Sequence, residues 1–280
     1  MFKKATKKQC KLRLGLMGIA GSGKTYSALR LATGIGGKIA FIDTERRSAS
    51  KYSDKFDFDV CDIDDPTPEN IIAAVTTAEQ AGYNVLIIDS TTHAWQKVLE
   101  LIEKLTRERF DGNSFRAWGV GTPIQRKFID TILKSKMHII GTMRAKTEYV
   151  MTTNEKGKSV PKRVGMGAEQ GKDIEYEFDL LMLLDNNHSA TVIKDRSGKY
   201  QDEYIELLDE KMGKELAEWL SDGEEEAEPI EQPLDTLKRV LKEEGINLKD
   251  FCAKFEIKHS NVAEKIEGLD FMIAEFKELG

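Results

Sequence analysis

The run G-I-A-G-S-G-K-T, Gly18 to Thr25, carries the densest chemistry in the chain. Its spacing is G-x-x-x-x-G-K-[ST]; a short apolar segment, Leu12 to Gly18, leads into it and a helical stretch, Lys24 to Ala32, follows. In that strand–loop–helix setting Gly18, Gly21 and Gly23 let main-chain N–H groups turn inward around phosphate oxygens, with Ile19, Ala20, Ser22 and Tyr26 completing the expected nucleotide contact. The start of the helix aims the positive end of its dipole at the same oxygens. Lys24 is expected to reach the β- and γ-phosphates and Thr25 to ligate Mg2+, which makes ATP and Mg2+ the expected cofactors. The plain alternative is a chance glycine turn with an exposed lysine.

Two carboxylates complete the candidate chemistry. Val85 to Asp89 is an apolar run that ends in an acid, the pattern of a buried strand presenting a carboxylate beside the phosphate loop. Asp89 is expected to hold the metal through water, with Ser90 assisting; otherwise the pair caps the following helix. Hydrolysis also needs a carboxylate that orients the attacking water. Asp89 is followed by Ser90, Thr91 and Thr92, so that carboxylate must come from elsewhere. F-I-D-T-E, Phe41 to Glu45, sets Asp43 and Glu45 two residues apart on one side of an extended segment, and Glu45 is the candidate base. The alternative is a solvated loop acid beside Arg46 and Arg47.

The elements that must position these groups follow a β–α rhythm. Strands are expected at Leu12 to Gly18, Lys38 to Asp43, Tyr83 to Asp89, Met137 to Thr142, Leu180 to Leu184 and Ala190 to Lys194. Helical segments between the earlier strands imply a parallel sheet covered on both faces, and the turn D-N-N-H-S, Asp185 to Ser189, closes it with an antiparallel hairpin. The fold class is α/β. Residues 221–232, SDGEEEAEPIEQ, hold six acids and no base and read as a linker between a core, residues 1–220, and a small unit, residues 233–280, with apolar spacing for about three short helices.

Composition narrows the setting. With 280 residues, 40% hydrophobic and 32% charged, the chain can bury a sizeable core, which excludes disorder throughout. No stretch has the roughly 18 consecutive apolar residues of a membrane helix, and lysine-rich Met1 to Lys11 has no apolar segment behind it, so no export signal and no membrane partner are expected. Cys10, Cys61 and Cys252 are too widely spaced for a metal knuckle, and a cytoplasmic, reducing setting follows. His93, His138 and His188 offer no zinc spacing; His93, four residues past Asp89, reads either as a sensor of nucleotide or DNA or as a helix-packing residue.

F-I-D-T-E and L-I-I-D-S resemble the RecA/RadA superfamily, in which a strand ending D-x-E supplies the catalytic glutamate and one ending D-S the magnesium aspartate. AAA+ and helicase-like ATPases, by contrast, place the glutamate directly after the metal aspartate. Together with D-S-T-T-H-A-W from Asp89, G-T-M-R-A-K from Gly141 and K-D-R-S-G from Lys194, the chain is similar to short phage recombinases of the Sak type, over roughly residues 10–220. The resemblance implies a RecA-like P-loop NTPase core acting in single-strand annealing as a homo-oligomeric ring or filament, with a single-strand-binding protein as a further partner. Gly141-Thr142-Met143-Arg144 stands where a strand-end Asn-Gln is expected, which leaves the γ-phosphate sensor unassigned.

The formal net charge is −6, yet Arg144 to Lys172 holds seven bases against three acids, in a stretch expected to be a long loop. In the RecA family a mobile loop after this strand holds single-stranded DNA. Arg144, Lys146, Lys156, Lys158, Lys162, Arg163 and Lys172 suit backbone phosphates, with a solvated or protein-binding loop as the alternative. Lys194 and Arg196, in the same resemblance, are expected to reach the γ-phosphate bound by a neighbouring subunit, or else to guard a hairpin edge. The expectation is a Mg2+-dependent ATPase that binds single-stranded DNA. The rivals are a nucleotide-gated protein-interaction switch and a small-molecule kinase.

Overall fold

The computed structural model describes residues 4–153, 159–171, 174–224, 233–258, 262–265 and 268–278. The chain divides into two compact units, Met1–Glu224 and Glu225–Gly280.

In the first unit, apolar runs become strands and amphipathic runs become helices in alternation. β1 (Arg13–Gly18) leads into α1 (Lys24–Ile35), β2 (Ile39–Asp43), a 3-10 turn (Ala49–Tyr52), β3 (Asp59–Asp62), α2 (Pro68–Gln80) and β4 (Val85–Asp89). There follow α3 (Thr91–Glu108), α4 (Ser114–Lys134), β5 (His138–Thr153), β6 (Ser159–Ala168), α5 (Ile174–Glu177), β7 (Leu180–Leu184), β8 (Ala190–Asp195), β9 (Tyr204–Ile205) and α6 (Glu210–Ser221). The helix starts are written locally. Thr67, Ser90, Asn113 and Asp209 each accept a main-chain N–H from the first turn of α2, α3, α4 and α6.

The strand order is β3-β2-β4-β5-β1-β7-β8-β9, with β6 paired to β5 alone. β1, β2, β3, β4, β5 and β7 pair in parallel, and β8 and β9 close the sheet in antiparallel fashion, as the turn chemistry at Asp185–Ser189 predicts. Alternate residues of one strand serve opposite faces. Ile39 and Phe41 pack with α1 and α6, while Ala40 and Ile42 pack with α2 and α4, which is why these strands read as unbroken apolar runs. α1 and α6 meet backbone to backbone: a Cβ on Gly213 would overlap the carbonyl of Leu31.

Three features differ from the sequence reading. The stretch expected to be a long loop after Thr142 is instead a hairpin, in which β5 continues to Thr153 and β6 returns antiparallel to it. β3 escapes the apolar pattern because all four of its residues are exposed at the sheet edge. Among the described residues of the second unit there are four helices rather than about three: α7 (Pro233–Glu243), α8 (Leu248–Lys254), α9 (Val262–Lys265) and α10 (Leu269–Glu278). They enclose Leu237, Leu241, Phe251 and Ile273, with Phe255 and Phe276 against Phe251; Phe271 is 78% exposed. No helix among the described residues is long and apolar enough to cross a membrane.

Candidate functional site

Register brings the site together at the carboxyl ends of β1, β2 and β4, beside the first half of β5. Asp43 of β2 pairs with Asp89 of β4, Ile88 with Gly141 of β5, and Gly18 of β1 with Arg144 of β5. The phosphate loop thus opens beside Asp89, Thr142 and Arg144, where open parallel sheets bind ligands.

The loop itself needs its glycines: Gly21 and Gly23 hold φ of 79° and 85°, left-handed conformations that suit glycine. Gly23 sits at the N-cap of α1 with no side-chain cap, and the first turn carries no acid, so these N–H groups and the helix dipole remain available to an anion. Ser22 Oγ is fully buried in the loop without a partner among the described residues. Lys24 Nζ folds over the loop, donating to the carbonyls of Ile19 at 2.8 Å and Gly18 at 3.1 Å. Burial pushes its pKa below the ordinary lysine value, against the opposing pull of Asp89 and Glu45. The Tyr26 ring packs edge-on against Tyr52 and Phe56.

Asp89 is 2% exposed. Its Oδ2 accepts from Thr25 Oγ1 at 2.6 Å and its Oδ1 from Thr142 Oγ1, yet burial still raises its pKa above the ordinary carboxylate value. A hydroxyl and a carboxylate converging beside Lys24 are hard oxygen donors that fit Mg2+. When bound, the metal neutralises charge on the phosphates. Thr25 and Asp89 would hold it. Ser90, expected to assist, caps α3 by accepting the N–H of Thr92 at 3.2 Å.

Glu45 stands on a tightly determined turn. The Asp43 carboxylate accepts from the N–H of Glu45 at 2.6 Å and of Ala49 at 2.8 Å, and so is committed to shaping this segment. Arg46 and Arg47 both have positive φ, 57° and 65°, rare for side-chain-bearing residues and characteristic of functional turns. Glu45 Oε1 accepts from Arg144 Nη2 at 3.1 Å, and His93 joins the same cluster. These residues rim a cavity of about 470 Å3 lined by Thr44, Glu45, Arg47, Asp62, His93 and Arg144. Arg144, expected from sequence to meet DNA, contacts Glu45 here, and Thr44 and Thr142 carry no role in the sequence expectation; their signal lies in the D-T-E and G-T-M-R strand ends themselves.

The other expected residues lie elsewhere. Lys146 is exposed on β5, Lys162 and Arg163 stand on β6, and Lys156, Lys158 and Lys172 lie outside the described residues. Lys194 Nζ donates to the carbonyls of Glu175 and Tyr176, and Arg196 to the Tyr176 carbonyl and the Asp179 carboxylate. Register sets Asp195 opposite Leu180, itself opposite Leu14, about four residues or roughly 13 Å back from Gly18. Both cations therefore sit at the end of the sheet away from their own phosphate loop.

No curated protein matches the chain. A family model described as an AAA domain matches residues 10–220. The phosphate loop, the Thr25–Asp89 pair and the parallel sheet that carries them agree with that match, and the chain belongs to this family of nucleotide-binding ATPases.

Proposed function

We propose that the chain is a Mg2+-dependent ATPase that assembles on single-stranded DNA and supports annealing or strand pairing, in the manner of the RecA-like phage recombinases of the Sak type. The observation that carries this reading is the continuity of β5. Arg144, its last residue paired with β1, contacts Glu45, and the next residue, Ala145, is the first paired with β6. One strand thereby links the candidate hydrolysis site to a hairpin of basic sequence.

The base of that hairpin is stitched to the start of α3. Arg144 N donates to Thr92 Oγ1 at 3.0 Å, Glu169 N to the Arg144 carbonyl at 2.7 Å, and Gln170 Nε2 to the Thr91 carbonyl at 2.7 Å. A ligand that binds the hairpin therefore bears on the segment that follows Asp89. Lys194 and Arg196, remote from their own phosphate loop, suit the nucleotide of an adjacent copy, which gives a homo-oligomer a reason to complete each site. A cytoplasmic setting and a single-strand-binding partner belong to the same reading.

The test is steady-state ATP hydrolysis with and without single-stranded DNA across salt concentrations. If the six remaining basic positions each neutralise a phosphate, log affinity should fall with log salt at a slope of about −4. Stimulation that fades on that slope supports the reading. Absence of both stimulation and binding at low salt removes DNA as the ligand and leaves a nucleotide-gated protein switch.

A further inference from the structure

His93 is used at both ring nitrogens. Nδ1 lies 2.7 Å from Thr44 Oγ1 and Nε2 lies 2.7 Å from Arg144 Nη2. A guanidinium only donates, so Nε2 must accept, and a neutral imidazole that accepts at Nε2 carries its hydrogen on Nδ1. That hydrogen is donated to Thr44 Oγ1.

The rest of the network closes on this assignment without a leftover group. Thr44 Oγ1 accepts from Nδ1 and from the N–H of Ser90 at 2.8 Å, which fills its acceptor sites, and its own hydrogen turns to the carbonyl of Asp89 at 3.1 Å or Ser90 at 3.3 Å. The main chain secures Thr44 further, its N–H donating to the Asp89 carbonyl at 2.8 Å. His93 is thus anchored at one end to β2 and β4 and presents a lone pair at the other end to β5. The opposite tautomer, or a protonated ring, would set an N–H against the guanidinium at the same distance.

We propose that His93, as the Nδ1–H tautomer, is a positioning residue that fixes the Arg144 guanidinium against Glu45 and so sets the geometry of the hydrolytic step. The proposal rests on Glu45 being the water-orienting carboxylate. Arg144 springs from the base of the β5–β6 hairpin and its side chain is 44% exposed, so a second acceptor is what confines it to one direction. Loss of that acceptor lets the guanidinium swing and leaves Glu45 without a fixed partner. A displacement of about 1 Å in such a group costs turnover by up to roughly 10²-fold while substrate affinity holds. Burial is consistent with a neutral ring: it lowers the His93 pKa, the adjacent Arg144 charge acts in the same direction, and Glu45 and Asp89 oppose it.

The amide side chains separate this role from packing. In His93→Gln an oxygen can take the place of Nε2 and accept from Arg144; in His93→Asn the amide reaches only as far as Nδ1 and serves Thr44 alone. Steady-state kinetics on the full chain should show His93→Gln within a few-fold of wild-type kcat, with His93→Asn and His93→Leu reduced about 10–100-fold at unchanged ATP affinity. Equal activity of the Gln and Asn variants, or wild-type kcat in His93→Leu, overturns the proposal. Nitrogen-15 spectra of the imidazole provide an independent arm: a pyridine-type Nε2 supports the assignment, and a protonated Nε2 overturns it. Glu45→Gln measured alongside keeps the two readings apart. Slow Glu45→Gln with normal His93→Leu sinks the positioning role alone, whereas normal Glu45→Gln sinks the base on which it rests.

Discussion

Glu45→Gln removes one charge from the site while keeping the side chain's length and shape. The charge is engaged with Arg144 at 3.1 Å, an attraction of about 5 kcal/mol at an effective dielectric of 20 and about 1 kcal/mol in water. The two side chains are 34% and 44% exposed, so the pair lies near the aqueous limit and its net contribution is about 1 kcal/mol or less. The melting temperature should therefore fall by no more than about 4 °C. Turnover should respond very differently. A positioned general base contributes roughly 10²–10⁴-fold, equivalent to about 3–5 kcal/mol in the barrier, and an amide cannot take the proton. The assay is phosphate release under saturating ATP, beside nucleotide binding by titration calorimetry and a thermal melt. Slow turnover with retained ATP binding and a nearly unchanged melt is the expected outcome. Turnover within about threefold of wild type would refute the assignment of Glu45, and a collapse of the melt would show that the carboxylate is structural.

If Lys194 and Arg196 serve a neighbouring subunit, the Lys194→Ala/Arg196→Ala double variant should be nearly inactive alone, and mixing it with Lys24→Ala protomers should restore part of the activity, because some interfaces then combine two intact halves; no recovery on mixing argues that the cations act within their own chain. His138 Nδ1 accepts the N–H of Leu12, and burial, aided by the charges of Lys11 and Arg13, lowers its pKa to about 4. Its folded pKa lies below the unfolded value near 6.5, so the associated stability is present above about pH 6.5 and is lost as pH falls toward 4, by at most about 3 kcal/mol. Urea unfolding at pH 7 and pH 4.5 should show that loss, and His138→Asn should flatten it. Gly213→Ala forces a methyl against the Leu31 carbonyl and should cost about 1–3 kcal/mol, whereas Gly119→Ala, in the exposed interior of α4 with nothing within 4 Å, should stabilise by about 0.5–1 kcal/mol; a chemical denaturation series on both checks the pair.

Much of this was legible because it is local. The phosphate loop is eight contiguous residues whose conformation depends on its own glycines, and the strands that carry it are apolar on both faces, a pattern that needs no knowledge of partners. The pairing of Asp43 with Glu45 in F-I-D-T-E was equally visible, but the division of labour was not. Both line the cavity, but the Asp43 carboxylate holds the turn through the N–H groups of Glu45 and Ala49, whereas that of Glu45 engages Arg144.

What only the tertiary structure decided depends on strand order and register. Thr44, Asp89, His93, Thr142 and Arg144 span a hundred positions and meet because β2 and β4 are neighbours that end at one level and β5, beside β4, passes that level on its way to Thr153. The same parallel order places Arg144 beside Gly18 and in contact with Glu45, a position that its charge alone does not indicate. The sequence of the β5 and β6 hairpin reads as a loop because it is rich in bases and carries Pro161, Gly165 and Gly167; the two strands are held by hydrogen bonds to each other. Lys194 and Arg196 sit far from their own phosphates because β8 runs antiparallel to β7, a direction set by the turn at Asp185–Ser189 but a distance set only by the sheet. Composition and motif specify which chemistry is present. Which side chains share it is a property of the sheet, because residues far apart in sequence become neighbours only through the hydrogen-bonded ladder between strands.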